Sequence, residues 1–539
     1  MALTESAFTQ QSRVSSPGDS KPVKPRYVEI WVLGILTSIL YMVAALWMRY
    51  TMNYTIADSL TRTADAVYVL FSRDPHLAAI GSIWLPLSEF LQLPFALILR
   101  PFGQVELAGP VSTSLCIVAT TLIIVRICRL LNLSRVATFA IALAWATNPV
   151  TVFYAANGMS EASSFMCVAL AMLGYLGWIR LERTTYLVIL AIGLAGAVLI
   201  RYEAVGLVPV MAVLAAWDGK RLRPSLVTMM IVALPAATAF LLWMLSEWIL
   251  LGDPLHFARG AGSAPVNPPW LRGAHDFVGY LVYVGGWTLV FGPILLLLVL
   301  LLARPARFRG TLGILAAAGV FPGLHVLLLL RHNSWGDPRY FSTAALFAAI
   351  GAAWLASAGP RWPWLRAGWD MAVVAILLVG AVTAPLALAD PVSTSVEAET
   401  RIFGGFFGRP PPAYKTIQGF PNPQSTGDFR IWRKVAADLD PEMARGKRVL
   451  VDTNLGFAAV LFSRHPSGFV ASSDRDFKAI LADPVGTVDY AISSWTCNGG
   501  GIDMVSERFG YGPFGTPPSP GLVHDYGCVR VYRLQTGRS

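Results

Sequence analysis

Charge is scarce in this chain. Of its 539 residues only 14% are Asp, Glu, Lys or Arg, while 55% are hydrophobic, and the mean hydropathy is +0.55. A water-soluble protein of this length needs far more charge on its surface, so that class is excluded. The sequence has no P-loop and no dinucleotide-binding glycine fingerprint, so nothing points to a bound nucleotide. No internal repeat is visible, which weighs against a transporter built from inverted repeats. No separate signal peptide is visible either. Residues 28–50 are long enough to span a membrane and lack a small-residue cleavage pattern, so they read as a retained helix. Cysteine is rare, five in all. Cys116, Cys128 and Cys167 fall in apolar runs and read as small apolar fillers.

What the chain does have is a succession of apolar runs of spanning length, which predicts a polytopic α-helical membrane protein. About eleven transmembrane helices are expected, near 28–50, 107–131, 136–153, 161–180, 185–200, 203–217, 225–250, 278–303, 311–330, 341–358 and 370–389. The run "SIWLPLSEFLQLPFALIL" is ambiguous because it carries Pro86, Glu89, Gln92 and Pro94. If it lies in the interface rather than spanning, five arginine-rich loops ("RICRLLNLSR", "RLERT", "DGKRLRP", "RPARFRG", "RWPWLR") all fall on the side of the polar tail 1–27. The positive-inside rule then makes that side cytoplasmic, in the cell membrane. The net charge of +10 is thereby read as an orientation signal and not as a nucleic-acid surface. The core covers residues 28–389, with 51–106 as its first external loop.

Hydropathy falls from about Asp390. Short apolar strands ("RVLVDT", "GFVAS", "VDYAIS", "VRVYRL") alternate there with helical pieces such as "GFAAVLFS", which predicts a C-terminal extracytoplasmic α/β domain over 390–539. Its stretch 401–428, rich in Gly and Pro, reads as a linker or surface loop. Cys497 and Cys528 are the two cysteines of this region, and an outside compartment permits a disulfide between them.

The candidate chemistry lies in the external loops. The segment "IADSLTRTADAVYVLFSRDPH" has helical periodicity, with Leu60, Ala64, Val67 and Phe71 on one face and Asp58, Arg62 and Asp65 on another. It predicts an amphipathic helix lying flat in the interface, apolar side down. Its simplest reading makes Asp58 the N-cap and Arg62 that residue's salt-bridge partner. Further external segments bring Glu161 in "YAANGMSEA", Arg201 and Glu203 in "IRYEAVG", and Arg331, His332, Trp335, Asp337, Arg339 and Tyr340 in "RHNSWGDPRYF". External arginines run against the orientation bias and need an anion, and a lipid phosphate is the anion at hand. Carboxylates, arginines and aromatics gathered on one face suit transfer of a sugar from a polyprenyl phosphate. A carboxylate deprotonates the acceptor hydroxyl, and arginines hold the phosphate as charge grows on the leaving group.

This arrangement resembles the GT-C superfamily of membrane glycosyltransferases, in particular the branch of protein O-mannosyltransferases and lipid A aminoarabinose transferases, over roughly residues 28–360. That family carries an acidic residue in the first external loop, where Asp58 stands. "RDPHLAAIGSIWLPL", with Asp74, Pro75 and His76, looks like a variant of its His-Pro-Pro-Leu element, and "NGMSEA" and "DPRYF" also look like family features. The chain departs from the mannosyltransferases in having Asp58-Ser59 where they tend to show Asp-Glu, so the general base is open between Asp58 and Asp74. The C-terminal domain is closer to the pattern of mycobacterial-type arabinofuranosyltransferases, also GT-C. The resemblance implies an inverting glycosyltransferase with Arg201, Arg331 and Arg339 on the donor phosphate and His76, Glu161, His332, Trp335 and Tyr340 lining the substrate. Its partners would be a polyprenyl-phosphate sugar donor, membrane lipid, and an envelope glycan, lipid or protein as acceptor. No cofactor is assigned, and a divalent metal requirement is left open. The other classes consistent with the sequence are a flippase of lipid-linked sugars and a non-catalytic envelope-assembly scaffold.

Overall fold

The computed structural model describes residues 28–52, 54–80, 84–217, 222–255, 271, 274–334, 336–360, 362–390, 402–405, 416–417, 420–421, 427–484, 486–494, 503–509 and 521–534. The chain opens with α1 (Val28–Leu46), then α2 (Ala57–Phe71) and two short helices, α3 (Leu87–Phe90) and α4 (Leu93–Leu99). The bundle continues through α5 (Ala108–Leu130), α6 (Arg135–Ala146), α7 (Pro149–Ala156), α8 (Ser160–Leu181), α9 (Thr184–Val198), α10 (Leu207–Ala216) and α11 (Leu222–Leu251). It closes with α12 (Phe277–Phe291), α13 (Ile294–Val299), α14 (Pro305–Leu330), α15 (Thr343–Ser357) and α16 (Pro363–Leu388).

Helices occupy every predicted span. Seven described helices are long and apolar enough to cross a membrane alone, or eight if α6 and α7 count as one span bent by 59°. The bend follows from Pro149, which has no N–H to continue the ladder. Asn148 caps the new start, its Oδ1 accepting from the Val150 N–H at 3.0 Å. Pro293 breaks the span 278–303 into α12 and α13 in the same way. α8 and α9 pack with backbones almost touching. A Cβ on Gly174 would lie 2.3 Å from the Leu190 nitrogen, and one on Gly193 2.4 Å from that of Ala171, the small-residue contact that membrane helices use. Cys116, Cys128 and Cys167 are buried free thiols in α5 and α8.

The ambiguous run does not span. α3 and α4 have four and seven residues, against about 20 for a crossing. The chain therefore leaves α1 and enters α5 on one face. The turns α7–α8, α9–α10 and α14–α15 and the end of α16 open on that same face. Contacts across it confirm the arrangement, including Arg49–Glu106, Arg201–Glu161 and Arg339–Asp58.

α2 departs from expectation in two ways. It does not lie with one side in lipid and the other in water, because Ser59, Leu60 and every residue from Arg62 to Val69 are buried. The side expected to face water packs instead on α3 and the turn ahead of α8, where Arg62 meets Glu89 and Met159, and the apolar side packs on the C-terminal domain rather than on lipid. Nor does Asp58 cap the helix. Ile56 holds that position without a side-chain bond, and Asp58 stands in the first turn, where a negative charge suits the helix dipole.

The C-terminal region is an α/β unit. A short hairpin, β1 (Thr416–Ile417) and β2 (Phe420–Pro421), falls within the stretch expected to be a linker. Then come α17 (Arg430–Ala444), β3 (Val449–Val451), α18 (Thr453–Phe462), β4 (Phe469–Ala471), α19 (Phe477–Ala482), β5 (Tyr490–Ser493), α20 (Met504–Phe509), β6 (Leu522–Asp525) and β7 (Arg530–Arg533). The sheet order is β4-β3-β5-β7-β6, with β3 parallel to β4 and β5 and the β7 pairings antiparallel. Side chains alternate as a strand requires. Val449 and Val451 join α17, α18 and α2 in one apolar cluster, while Leu450 joins α19 and α20 on the other face. Cys528 is buried beside β7 and disulfide-bonded; Cys497, its expected partner, lies outside the described residues.

Polar contacts also fix the domain to the bundle. Glu106, ahead of α5, accepts from Arg49 at 2.7 Å and lies 3.1 Å from Arg433 of α17. Glu106→Gln leaves two arginines facing each other without their shared anion. Removing one member of a buried pair typically costs about 3–5 kcal/mol, and partial exposure of Arg433 favours the lower end. A clear fall in the thermal unfolding temperature of the purified protein is expected, and an unchanged temperature would show that this triad does not hold the two parts together.

Candidate active site

Asp58 meets Arg339 across 281 residues of chain. Its Oδ2 accepts from the Arg339 Nη1 at 3.2 Å, and its side chain keeps 31% of its exposure. Arg339 is placed by a 3-10 turn, Pro338–Phe341. Asp337 starts that turn, its Oδ1 accepting from the Arg339 backbone N–H at 3.0 Å. The Arg339 guanidinium lies 5.3 Å from the Tyr340 ring centroid. Its Nε is buried and has no hydrogen-bond partner.

Behind this pair stands a second arginine. Arg201 donates to Glu161 Oε1 at 2.9 Å and to Glu203 Oε1 at 2.8 Å, and it also lies 5.6 Å from the Tyr340 ring. Tyr340 stacks on His325 with centroids 4.7 Å apart and planes 4° from parallel. His325 comes from α14 and is buried. Its Nε2 faces Glu203 Oε1 at 3.1 Å and its Nδ1 faces Ser334 Oγ at 3.1 Å. Ser334 Oγ accepts from the Gly336 N–H, so its hydroxyl proton is free for Nδ1. With Nδ1 as acceptor from Ser334, the ring proton on Nε2 is donated to Glu203.

Glu161 is delivered by the turn ahead of α8. Gly158 has φ +79°, and a Cβ there would lie 2.1 Å from the Ser59 Oγ and 3.2 Å from Gly109. Only glycine fits, so the turn is pressed against α2. Asn157 Oδ1 stabilises it by accepting from the Met159 N–H at 2.9 Å. Buried polar atoms without partners gather around this turn and the Asp58–Arg339 pair: Ser59 Oγ, Asn157 Nδ2, Glu161 Oε2 and Arg339 Nε. Such atoms are costly to leave unmatched, and here they are shared between α2, the start of α8 and the turn before α15.

The expected site residues divide cleanly. Asp58, Glu161, Arg201, Arg339 and Tyr340 come together. Asp74 and His76 do not, because α2 carries them away from Asp58 by roughly 20 Å at 1.5 Å per residue. Asp74 pairs instead with Arg475 of the C-terminal domain at 2.5 Å. Hydrogen bonds from Arg475 hold its carboxyl well below the usual range. The His76 Nδ1 faces the Asp74 backbone oxygen. Arg331 and His332 are exposed beyond the end of α14 and make none of these contacts. Trp335 lies outside the described residues. Among the described residues no three His, Cys, Asp or Glu side chains group as metal ligands.

Sequence reasoning missed His325, which lies inside an apolar run. It also mistook the partner of Arg62. That guanidinium gives Asp58 only a backbone contact, Nη1 to oxygen at 3.1 Å. Its ion pair is with Glu89 of α3, 3.2 Å away, and it lies 4.1 Å from the Trp84 ring. Glu89 had served only as a reason why its segment should not span. Burial outweighs the help of Arg62 and pushes the Glu89 carboxyl up to about 7. Asp65, buried beside them, is raised as well, by burial and by Glu89.

The order of parts, a first span, juxtamembrane helices with an acid at their head, a helical bundle and a C-terminal domain on the same face, is that of the GT-C fold. The chain has the fold of the GT-C membrane glycosyltransferases. Its residues 86–248 match the profile of the family described as dolichyl-phosphate-mannose-protein mannosyltransferase. Among solved structures it is similar to ArnT from Cupriavidus metallidurans bound to undecaprenyl phosphate, at 13% identity and a TM-score of 0.53, covering 94% of this chain and 98% of that one. The apo state of the same protein gives 14% identity and a TM-score of 0.51 over the same shares. The archaeal oligosaccharyltransferase AglB from Archaeoglobus fulgidus gives 9% identity and a TM-score of 0.43, over 87% of this chain and 70% of that one. No curated protein sequence matches the chain significantly.

The Glu89 carboxyl sets a pH signature for the folded protein. Its folded value is raised, so between about 4.5 and about 7 the folded state holds a proton that the unfolded chain has released. Stability then falls as pH rises through that window. Glu89→Gln should flatten the decline in unfolding temperature between pH 5 and 8. An equally steep decline in the variant would assign it to other groups.

Proposed function

We propose that the protein is an inverting glycosyltransferase that moves a sugar from a polyprenyl-phosphate donor to an acceptor hydroxyl on the extracytoplasmic face of the cell membrane. The observation that carries this reading is the pairing of a one-third exposed carboxylate, Asp58, with an arginine that still has an unmatched donor, Arg339. Base and phosphate anchor stand side by side, as the reaction requires. The acceptor oxygen attacks the anomeric carbon while Asp58 takes its proton. The bond from the anomeric carbon to the phosphate oxygen breaks, and the polyprenyl phosphate leaves with the bonding pair. Arg339 stabilises the charge that grows on it.

Arg339 is the better phosphate anchor of the two central arginines. Arg201 is already matched by Glu161 and Glu203, so we assign it a positioning role, holding Tyr340 and, through it, the Arg339 turn. In the free protein Asp58 occupies Arg339. A donor phosphate that takes the arginine over releases the carboxylate for its work as a base, so donor binding and base activation are one event. ArnT, which shares the fold, has been solved with undecaprenyl phosphate, and the matched family profile is named for a polyprenyl-phosphate sugar. Both support a donor of this class. The resemblance to the GT-C branches makes mannose and arabinofuranose the first sugars to test and leaves other sugars open, with an envelope glycan, lipid or protein as acceptor.

Membranes supplied with labelled polyprenyl-phospho-mannose or polyprenyl-phospho-arabinose test the reaction. Asp58→Asn should lower transfer about a hundredfold to ten-thousandfold, the usual worth of a positioned base. Normal turnover in that variant contradicts the assignment. Arg339→Ala should weaken donor use by roughly 1.5–3 kcal/mol, or about ten- to a hundredfold. Lysine should restore only part, since it lacks the bidentate fork; unchanged donor affinity in Arg339→Ala removes it as the anchor. A topology reporter after Arg129 should read cytoplasmic and one after Ser539 external. The reverse pattern places the site on the wrong face for this donor.

A further inference from the structure

The opposite face of the bundle holds a second concentration of charge that the reaction does not use. A cavity of about 390 Å³ opens between the end of α8, the start of α14 and the end of α15, lined by Ile179, Arg180, Pro305, Arg307, Arg309 and Trp354 among others. No carboxylate stands among its lining residues. Arg304 and Arg366 are further charged neighbours of Arg307, and of these Arg366 is matched by Asp370 at 3.2 Å.

Orientation by the positive-inside rule needs only arginines in loops. It does not need them fixed around a cavity. Arg307 is fixed: its Nη1 and Nη2 donate to the Ser357 Oγ at 2.8 Å and to the Ser357 oxygen at 2.7 Å. Its guanidinium lies 5.2 Å from the Trp354 ring, and Trp354 is tied to Thr311 Oγ1 at 2.9 Å. The Nε of Arg309 is buried without a hydrogen-bond partner. α14 starts here with Pro305 in its first turn, so the first backbone N–H groups of a 26-residue helix add to the positive potential. Trp362 and Trp364, 67% and 73% exposed at the adjacent start of α16, mark headgroup level, where exposed tryptophans of membrane proteins collect.

We propose that this cavity binds the phosphate headgroup of an anionic membrane lipid, at the far face from the Asp58 site and independently of the reaction assigned there. Ile179 gives the cavity an apolar wall for the first part of the acyl region. The three arginines supply charge-assisted, forked donors for the phosphate oxygens.

Native mass spectrometry of the purified full-length protein tests this with phosphatidylglycerol, phosphatidylcholine and inorganic phosphate as probes. The wild type should retain phosphatidylglycerol at least about tenfold more strongly than phosphatidylcholine. The double variant Arg180→Gln/Arg309→Gln leaves the structural bonds of Arg307 intact and should lose that preference. Arg126→Gln, an exposed arginine of α5 on the same face, should keep it. Equal retention of the two lipids by the wild type, or an unchanged preference in the double variant, overturns the proposal. Inorganic phosphate that displaces phosphatidylglycerol at matched concentration also overturns it, by assigning the cavity to a soluble anion.

Discussion

A charge removed from water has to be matched, and the site face of this protein is organised by that constraint. α2 shows it along its whole length. Its first turn sends Asp58 to Arg339, its middle sends Arg62 to Glu89, and just beyond its end Arg73 and Asp74 pair with Asp474 and Arg475 of the sheet domain. Each partner comes from a different part of the chain. The helix cannot shift without separating several pairs, and separating a buried pair is far costlier than its net contribution suggests. The apolar side chains between these charges bury α2 against α18 and the sheet. One helix therefore joins the membrane core, the interfacial helices and the C-terminal domain, with the candidate base at its head.

The same constraint divides the labour between the two central arginines. Two carboxylates and a stacked aromatic hold Arg201, and His325 closes the arrangement by donating to Glu203 while stacking on Tyr340. This block leaves little freedom to the turn that carries Arg339. Arg339 itself has one carboxylate and an unmatched Nε. A rigid set of charges beneath a less saturated one suits a site that must accept an anion without rearranging its foundation.

Much of this was legible in the sequence, for identifiable reasons. Helices are set by length and apolarity, so their positions could be read, but of about eleven expected crossings seven described helices, or eight with the bent pair, are long and apolar enough to cross alone. Pro86, Glu89, Gln92 and Pro94 correctly argued against a crossing at 83–99, because a membrane interior tolerates neither the breaks nor the unmatched charge. The strands of the C-terminal domain showed as short apolar runs. Asp58, Glu161, Arg201, Arg339 and Tyr340 stood out as polar residues at the ends of apolar segments. What could not be read was pairing. Asp74 looks like Asp58 in sequence, but whether either meets Arg339 or Arg475 depends on contacts hundreds of residues apart. The burial of α2 on all sides was hidden for the same reason, since its polar face reads as a solvated one until α3 and the turn ahead of α8 cover it, and its apolar face reads as a lipid-facing one until the sheet domain does. His325 gave no signal beyond being a histidine in an apolar run, where a packed side chain is the ordinary expectation.

The central claim is that a lipid phosphate and Asp58 compete for Arg339. Equilibrium binding of polyprenyl phosphate to the purified Asp58→Asn protein tests it most directly. With the competing carboxylate removed, binding should tighten by about twofold to fivefold, the worth of a partly exposed ion pair, although the same variant is expected to be inactive. Weaker binding in Asp58→Asn than in the wild type would contradict the account, because Asp58 would then belong to the donor site itself rather than compete with the donor for its anchor.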